Sequence, residues 1–191
     1  MALKVTVKVG NISNLSDARY CAGMGVDLLG FVVVAGKPGY VEPDRFQEMR
    51  GWFAGPQVVA EAYGADDFDY IIKNYQPDLV ELSVEDLLIL NPEGIKLIIA
   101  ITPEGFSRYG SIVEKHKPEI AYLLVPANTP QPDILELARH FSILVDDAEG
   151  SYKQLIDLKN VGLALKGSEE ARPGYKQYDE LAEVLEFLEE M

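Results

Sequence analysis

The chain has 191 residues, 48% of them apolar, which suits one globular domain with a substantial core. Its 31 Asp and Glu against 17 Lys and Arg give a net charge of −14, which serves solubility and sets the chain against nucleic acid and anionic membranes as partners. One cysteine, Cys21, leaves no disulfide framework within a monomer, and no stretch reaches the roughly 18 apolar residues of a membrane span.

Residues 1–10 alternate Lys with Val and lack the apolar run of a secretory signal, so a reducing, cytoplasmic setting is expected. The first strand is predicted over 4–9. A helix over 14–24 follows, with Ser13 or Asn14 as its cap and Gly23 or Gly25 as its stop. A strand over 28–34 leads to a helix that Pro43 opens and that runs to 53, where Trp52 and Phe53 are expected to pack on the sheet. Next come a strand over 57–63 and a helix over 66–74 with Phe68, Ile71 and Ile72 on one side. A strand over 79–83 precedes a short apolar helix over 84–90. A strand over 96–101 runs into Thr102-Pro103-Glu104, a cap with proline at the first helical position.

The remaining strands are predicted over 121–125, 142–145 and 161–166, with helices over 133–140, 150–158 and 178–190. The last helix places Leu181, Val184, Leu185 and Leu188 at helical spacing. His116 and His140 fall just before strands, at the face away from any chemistry, and Cys21 reads as a core residue. Most strands are continuous apolar runs rather than alternating ones, which marks a parallel sheet covered on both faces. Eight strands alternating with eight helices describe a single α/β domain over 1–191, a somewhat trimmed (β/α)8 TIM barrel, with an open doubly wound sheet as the alternative.

Several segments go further. Lys8-Val9-Gly10-Asn11-Ile12-Ser13-Asn14-Leu15-Ser16-Asp17-Ala18 resembles the Lys-Ile-Cys-Gly-Ile-Thr-Asn-Leu-x-Asp-Ala opening of phosphoribosylanthranilate isomerases. Gly25-Val26-Asp27-Leu28-Leu29-Gly30-Phe31-Val32 is similar to that family's Gly-Ala-Asp-x-x-Gly-Phe-Val. Lys37-Pro38-Gly39-Tyr40-Val41 is similar to Ser-Pro-Arg-Tyr-Val, and 77–82 to the fourth-strand pattern. Residues 162–176 match the eighth strand and its loop without a gap, keeping Glu170, Pro173, Gly174 and Lys176.

The resemblance implies a barrel enzyme of tryptophan biosynthesis. Such an enzyme opens a phosphoribosylamine ring with a general acid and removes the C2 proton with a general base. It also implies where those groups stand. The thiolate position on strand one holds Gly10, and the carboxylate position on strand six holds Val125. Gly39 replaces the arginine that grips the anthranilate carboxylate, and Ala164 replaces an aspartate on strand eight. At the phosphate site, Val145-Asp146-Asp147-Ala148 stands for Ala-Gly-Gly-Leu, and Lys166-Gly167-Ser168 for Ser-Ser-Gly. Each carboxylate beside a dianion costs about 1–4 kcal/mol.

Inward parity puts Lys8, Glu61, Glu81, Ser83 and Lys166 near the strand ends, with Tyr63, Asn128 and Asp146 beside them. With Gly167 and Ser168 these are the ligand-binding candidates. Glu61, Glu81 and Asp146 can serve as acid and base or draw a cation; equally, they can pair with Lys8 and Lys166 and fill a disused cavity. No dinucleotide, P-loop, Cys-x-x-Cys or His-Glu-x-x-His motif is present, so neither cofactor nor metal is expected. Three functions stay open. One is a barrel without efficient isomerase activity that binds a small molecule at its mouth or a protein partner. Another is an enzyme of changed specificity using Glu81, Asp146 and Lys166. The third is a genuine isomerase with relocated groups. A monomer or a homodimer fits each.

Overall fold

Strands that are apolar on both faces must be covered on both, and here they are covered by closing on one another. The computed structural model describes residues 3–90, 92–146, 148–167, 170–172, 175–176 and 179–189. Strands β1 (Val7–Gly10), β2 (Leu28–Val32), β3 (Gln57–Glu61), β4 (Leu79–Ser83), β5 (Lys96–Ala100), β6 (Ile120–Val125), β7 (Ile143–Val145) and β8 (Val161–Lys166) form a closed parallel barrel in chain order. Pairing of β1 with β8, from Val7 with Leu163 to Gly10 with Lys166, excludes the open sheet.

The helices between the strands are α1 (Leu15–Gly23), α2 (Pro43–Arg50), α3 (Phe68–Tyr75), α4 (Val84–Leu90), α5 (Pro103–Lys115), α6 (Gln131–Leu137) and α7 (Tyr152–Leu155), with α8 (Asp179–Glu189) last. The trimming expected from length lies in α4, α6 and α7, of 7, 7 and 4 residues. Two short antiparallel strands, β9 (Glu170–Arg172) and β10 (Tyr175–Lys176), stand between β8 and α8; the sequence reading did not foresee them.

Aspartates before two strands anchor the bottom of the barrel. Asp27 Oδ2 accepts from Val7 N at 2.8 Å, and Asp78 Oδ2 accepts from Val58 N at 2.7 Å. Each thereby satisfies a donor at the start of a neighbouring strand, Val7 in β1 and Val58 in β3. The Asn14-x-x-Asp17 pattern is a helix cap: Asn14 Oδ1 accepts from Asp17 N, and Asn14 Nδ2 donates to the buried Asp17 carboxylate.

Between sheet and helices, Phe31 meets Phe46 edge-on at 5.1 Å and stacks on Phe53 at 6.1 Å. Cys21 is fully buried there, as are Leu181, Val184, Leu185 and Leu188 of α8 or nearly so. The expectation for Trp52 fails. Helix α2 ends at Arg50, the chain turns, and Trp52 is left 68% exposed while Phe53 takes the core position. No helix among the described residues is long and apolar enough to cross a membrane.

Phe31→Ala should cost about 3–5 kcal/mol in denaturant unfolding. Trp52→Ala should stay within about 0.5 kcal/mol of the parent.

Candidate functional site

The barrel interior changes character along its axis. Its lower part is an apolar plug that includes Leu28, Val59, Leu79, Ile98, Leu124, Leu144 and Ala164. Lys8 stands beside Leu28 and Ala164 in the register, and its long side chain carries the ammonium upward from the plug. The Lys8 Nζ lies 2.6 Å from Glu61 Oε1 and 2.7 Å from Glu81 Oε2. All three side chains are at most 9% exposed. The second oxygen of Glu61 accepts from Asn11 N at 3.1 Å, and Tyr63 donates its hydroxyl to Glu81 Oε1 at 2.6 Å. The contact of Glu81 Oε2 with Lys8 is an ion pair outside hydrogen-bond geometry.

One ammonium between two buried carboxyl groups sets their protonation. Burial alone would pull Lys8 down, but the charges of Glu61 and Glu81 outweigh it and hold its pKa well above the ordinary lysine value. Burial pushes Glu81 up; Lys8 draws it back and the Glu61 charge adds to the rise, leaving it above the ordinary carboxylate range. Burial and the adjacent Glu81 charge also push the Tyr63 phenol up, so Tyr63 keeps its proton and points it at Glu81.

This cluster accounts for two glycines. A side-chain carbon at Gly10 would collide with Glu61 Oε1 and lie 3.0 Å from Lys8 Nζ. One at Gly30 would collide with the same oxygen. The Glu61 carboxylate thus occupies the space over both strands, including the position where the resemblance implies a thiol. Gly39, placed by the resemblance at an arginine position, has φ +79, and its missing side chain leaves room for Asn11 Oδ1.

A cavity of about 250 Å³ opens at the mouth over the ends of β3 to β7. Its lining includes Tyr63, Glu85, Thr102, Gly105 and Asp146, with Ala100, Ile101, Leu124, Val125 and Pro126 as an apolar wall. Of the sequence candidates, only Tyr63 and Asp146 line it. Glu61, Glu81 and Lys8 are occupied with one another beneath. Ser83 is a helix cap: its hydroxyl donates to Asp86 at 2.7 Å and accepts from Asp86 N. Asn128 is exposed in the loop before α6 and does not line the cavity. Val125 packs in the layer between sheet and helices, while its neighbour Leu124 belongs to the interior plug. Strand six therefore presents no ionisable group on either side at this level. Lys166 is exposed at the end of β8. The Gly167 N–H donates to Gly10 O at 2.8 Å, and Asp146 N donates to Val125 O at 2.8 Å. Ser168 and Asp147 lie outside the described residues. No group of three or more His, Cys, Asp or Glu among the described residues is placed to hold a metal ion.

Glu85, Thr102 and Gly105 were missed as lining residues. The Thr-Pro cap signal located the start of α5 correctly, but only the barrel's closure shows that this start borders the cavity.

No protein-family model matches the chain, and no curated protein matches its sequence. Solved structures do match. A phosphoribosyl anthranilate isomerase in complex with reduced 1-(o-carboxyphenylamino)-1-deoxyribulose 5-phosphate aligns at TM-score 0.76 and 19% identity, over 98% of this chain and 100% of that one. This chain has the phosphoribosylanthranilate isomerase fold. The isomerase from Thermus thermophilus aligns at 0.72 and 20% identity, over 97% and 98% of the two chains. Monomers generated from the dimeric Thermotoga maritima isomerase align at 0.71 and 19%, over 98% and 100%. The shared fold does not by itself transfer a reaction.

Lys8→Met leaves two buried carboxyl groups without a cation and should cost about 3–5 kcal/mol of unfolding free energy at neutral pH. The triple change Lys8→Met, Glu61→Gln, Glu81→Gln should recover most of that loss. Equal losses in the single and triple variants would show that packing, not charge, is what Lys8 supplies.

Proposed function

We propose that this barrel does not isomerise phosphoribosylanthranilate at a family-like rate and that its mouth holds a different small molecule. The observation that carries the reading is the Glu61 carboxylate seated with Lys8 over Gly10. A base on strand one would need that space. Committed backbone donors support it as well. A phosphate cradle is built from free N–H groups, and those of Gly167 and Asp146 are held by Gly10 O and Val125 O. The Asp146 carboxylate adds repulsion toward a dianion.

An enzyme of changed reaction is the second reading, favoured by the presence of Tyr63 and Asp146 in one cavity. Under it, Glu81 acts only through Tyr63, since Glu81 itself does not line the cavity. A cytoplasmic setting and a monomeric or homodimeric state accompany both readings.

Purified protein mixed with freshly generated phosphoribosylanthranilate tests the proposal. Acid and base catalysis are each worth roughly 10²–10⁴-fold, so turnover should fall at least about 10⁴-fold below a typical ~10 s⁻¹. Gly10→Cys should not restore it, because the added side chain meets Glu61. Turnover within about tenfold of the typical rate, or rescue of an isomerase-deficient tryptophan auxotroph, contradicts the reading.

A further inference from the structure

We infer that the mouth cavity takes a small organic cation, an ammonium or amidinium on an apolar body, and not a phosphate or carboxylate. The inference rests on the reading that the mouth holds a small molecule, and it names the class. At about 250 Å³ the cavity has room for one ring with a short arm.

The polar groups facing this space are acceptors. Asp146 and Glu85 contribute carboxylates, and no Lys, Arg or His is among the described lining residues. Tyr63 looks like a donor in the sequence, but its proton is directed at Glu81 and held there. What the phenol can offer a ligand is its oxygen. The network below fixes that orientation, and with one ammonium against two carboxyl groups its formal charge is zero or −1, never positive.

The start of α5 also borders the cavity, and a helix start normally favours anions. Here part of its donor set is in use. Pro103 has none, Gly105 N donates to Thr102 Oγ1 at 3.0 Å, and Phe106 N donates to Thr102 O at 2.8 Å. Glu104 in the same first turn offsets the helix dipole. Among the described lining side chains only the Thr102 hydroxyl retains a proton to give. Ala100, Ile101, Leu124 and Pro126 supply the surface for an apolar body.

Cations do stand on the rim. Lys166 is exposed at the end of β8, Lys37 and Arg45 line a separate cleft with Ser13, Asn14 and Tyr40, and the Lys37 ammonium lies beside Gly64. Binding must therefore be read inside the cavity, at the ring resonances of Tyr63, and not from the whole protein.

Three probes of similar size discriminate: benzylamine, benzoate and phenyl phosphate, titrated into the full chain at moderate ionic strength with Tyr63 followed by NMR. Benzylamine should move the Tyr63 ring signals at concentrations at least tenfold below those at which either anion does. Asp146→Asn should weaken benzylamine at least tenfold, and Glu85→Gln, at an exposed helix start, should weaken it less. An anion that perturbs Tyr63 as readily as benzylamine overturns the cation assignment and leaves the small-molecule reading of the mouth standing. Benzylamine affinity unchanged in Asp146→Asn also overturns the assignment. If no probe moves Tyr63, both the assignment and the small-molecule reading fall, while the isomerase assay stands or falls on its own.

Discussion

Two carboxylates inside a barrel would repel each other and forfeit their hydration; the ammonium of Lys8, within 2.7 Å of both, makes the arrangement tenable. Much of the upper barrel follows from that contact. Glu61 can lie across β1 and β2 only because Gly10 and Gly30 have no side chains. Glu81, held from one side by Lys8, receives the Tyr63 proton from the other. Asn11 N completes Glu61, tying the first βα turn to β3. Removing any member leaves a desolvated polar group behind, so the cluster has to be treated as one unit.

The consequence for chemistry is a division of the barrel into three levels. Below is an apolar plug, whose Leu124 also reaches the cavity wall. In the middle is the closed ion cluster, whose members are turned toward one another. Above is a modest cavity that sees the cluster only through the Tyr63 oxygen. At this level strand one ends in Gly10 and strand six carries Leu124 and Val125, none of them ionisable. The sheet–helix layer and the strand-start aspartates lie away from the mouth.

The fold was legible because its signals are local. Continuous apolar runs marked the strands, and Asn14 and Thr102 marked helix starts where side chains do accept the first backbone donors. Lys8, Glu61 and Glu81 are buried as strand parity implies, since parity needs no knowledge of contacts. What parity does not give is which side chains meet. Lys8 reaches Glu61 across 53 positions, and Ser83 turns aside to cap the next helix because Asp86 lies one turn on. Trp52 misled because a large ring beside a helix suggests burial, whereas the core site could accommodate only one of two adjacent aromatics and Phe53 filled it. The cavity walls, drawn from strands far apart in the chain, had no sequence signal of their own.

The most direct measurement is of the Lys8 side chain itself, by ¹⁵N and ¹³C NMR of Nζ, Glu61 Cδ and Glu81 Cδ across a pH titration. The account predicts a Lys8 ammonium protected from solvent exchange, still charged above the ordinary lysine range near ~10.4, and sensing the titration of Glu81. A Lys8 ammonium that exchanges freely and titrates together with the surface lysines would contradict it, because the space over Gly10 would then be open.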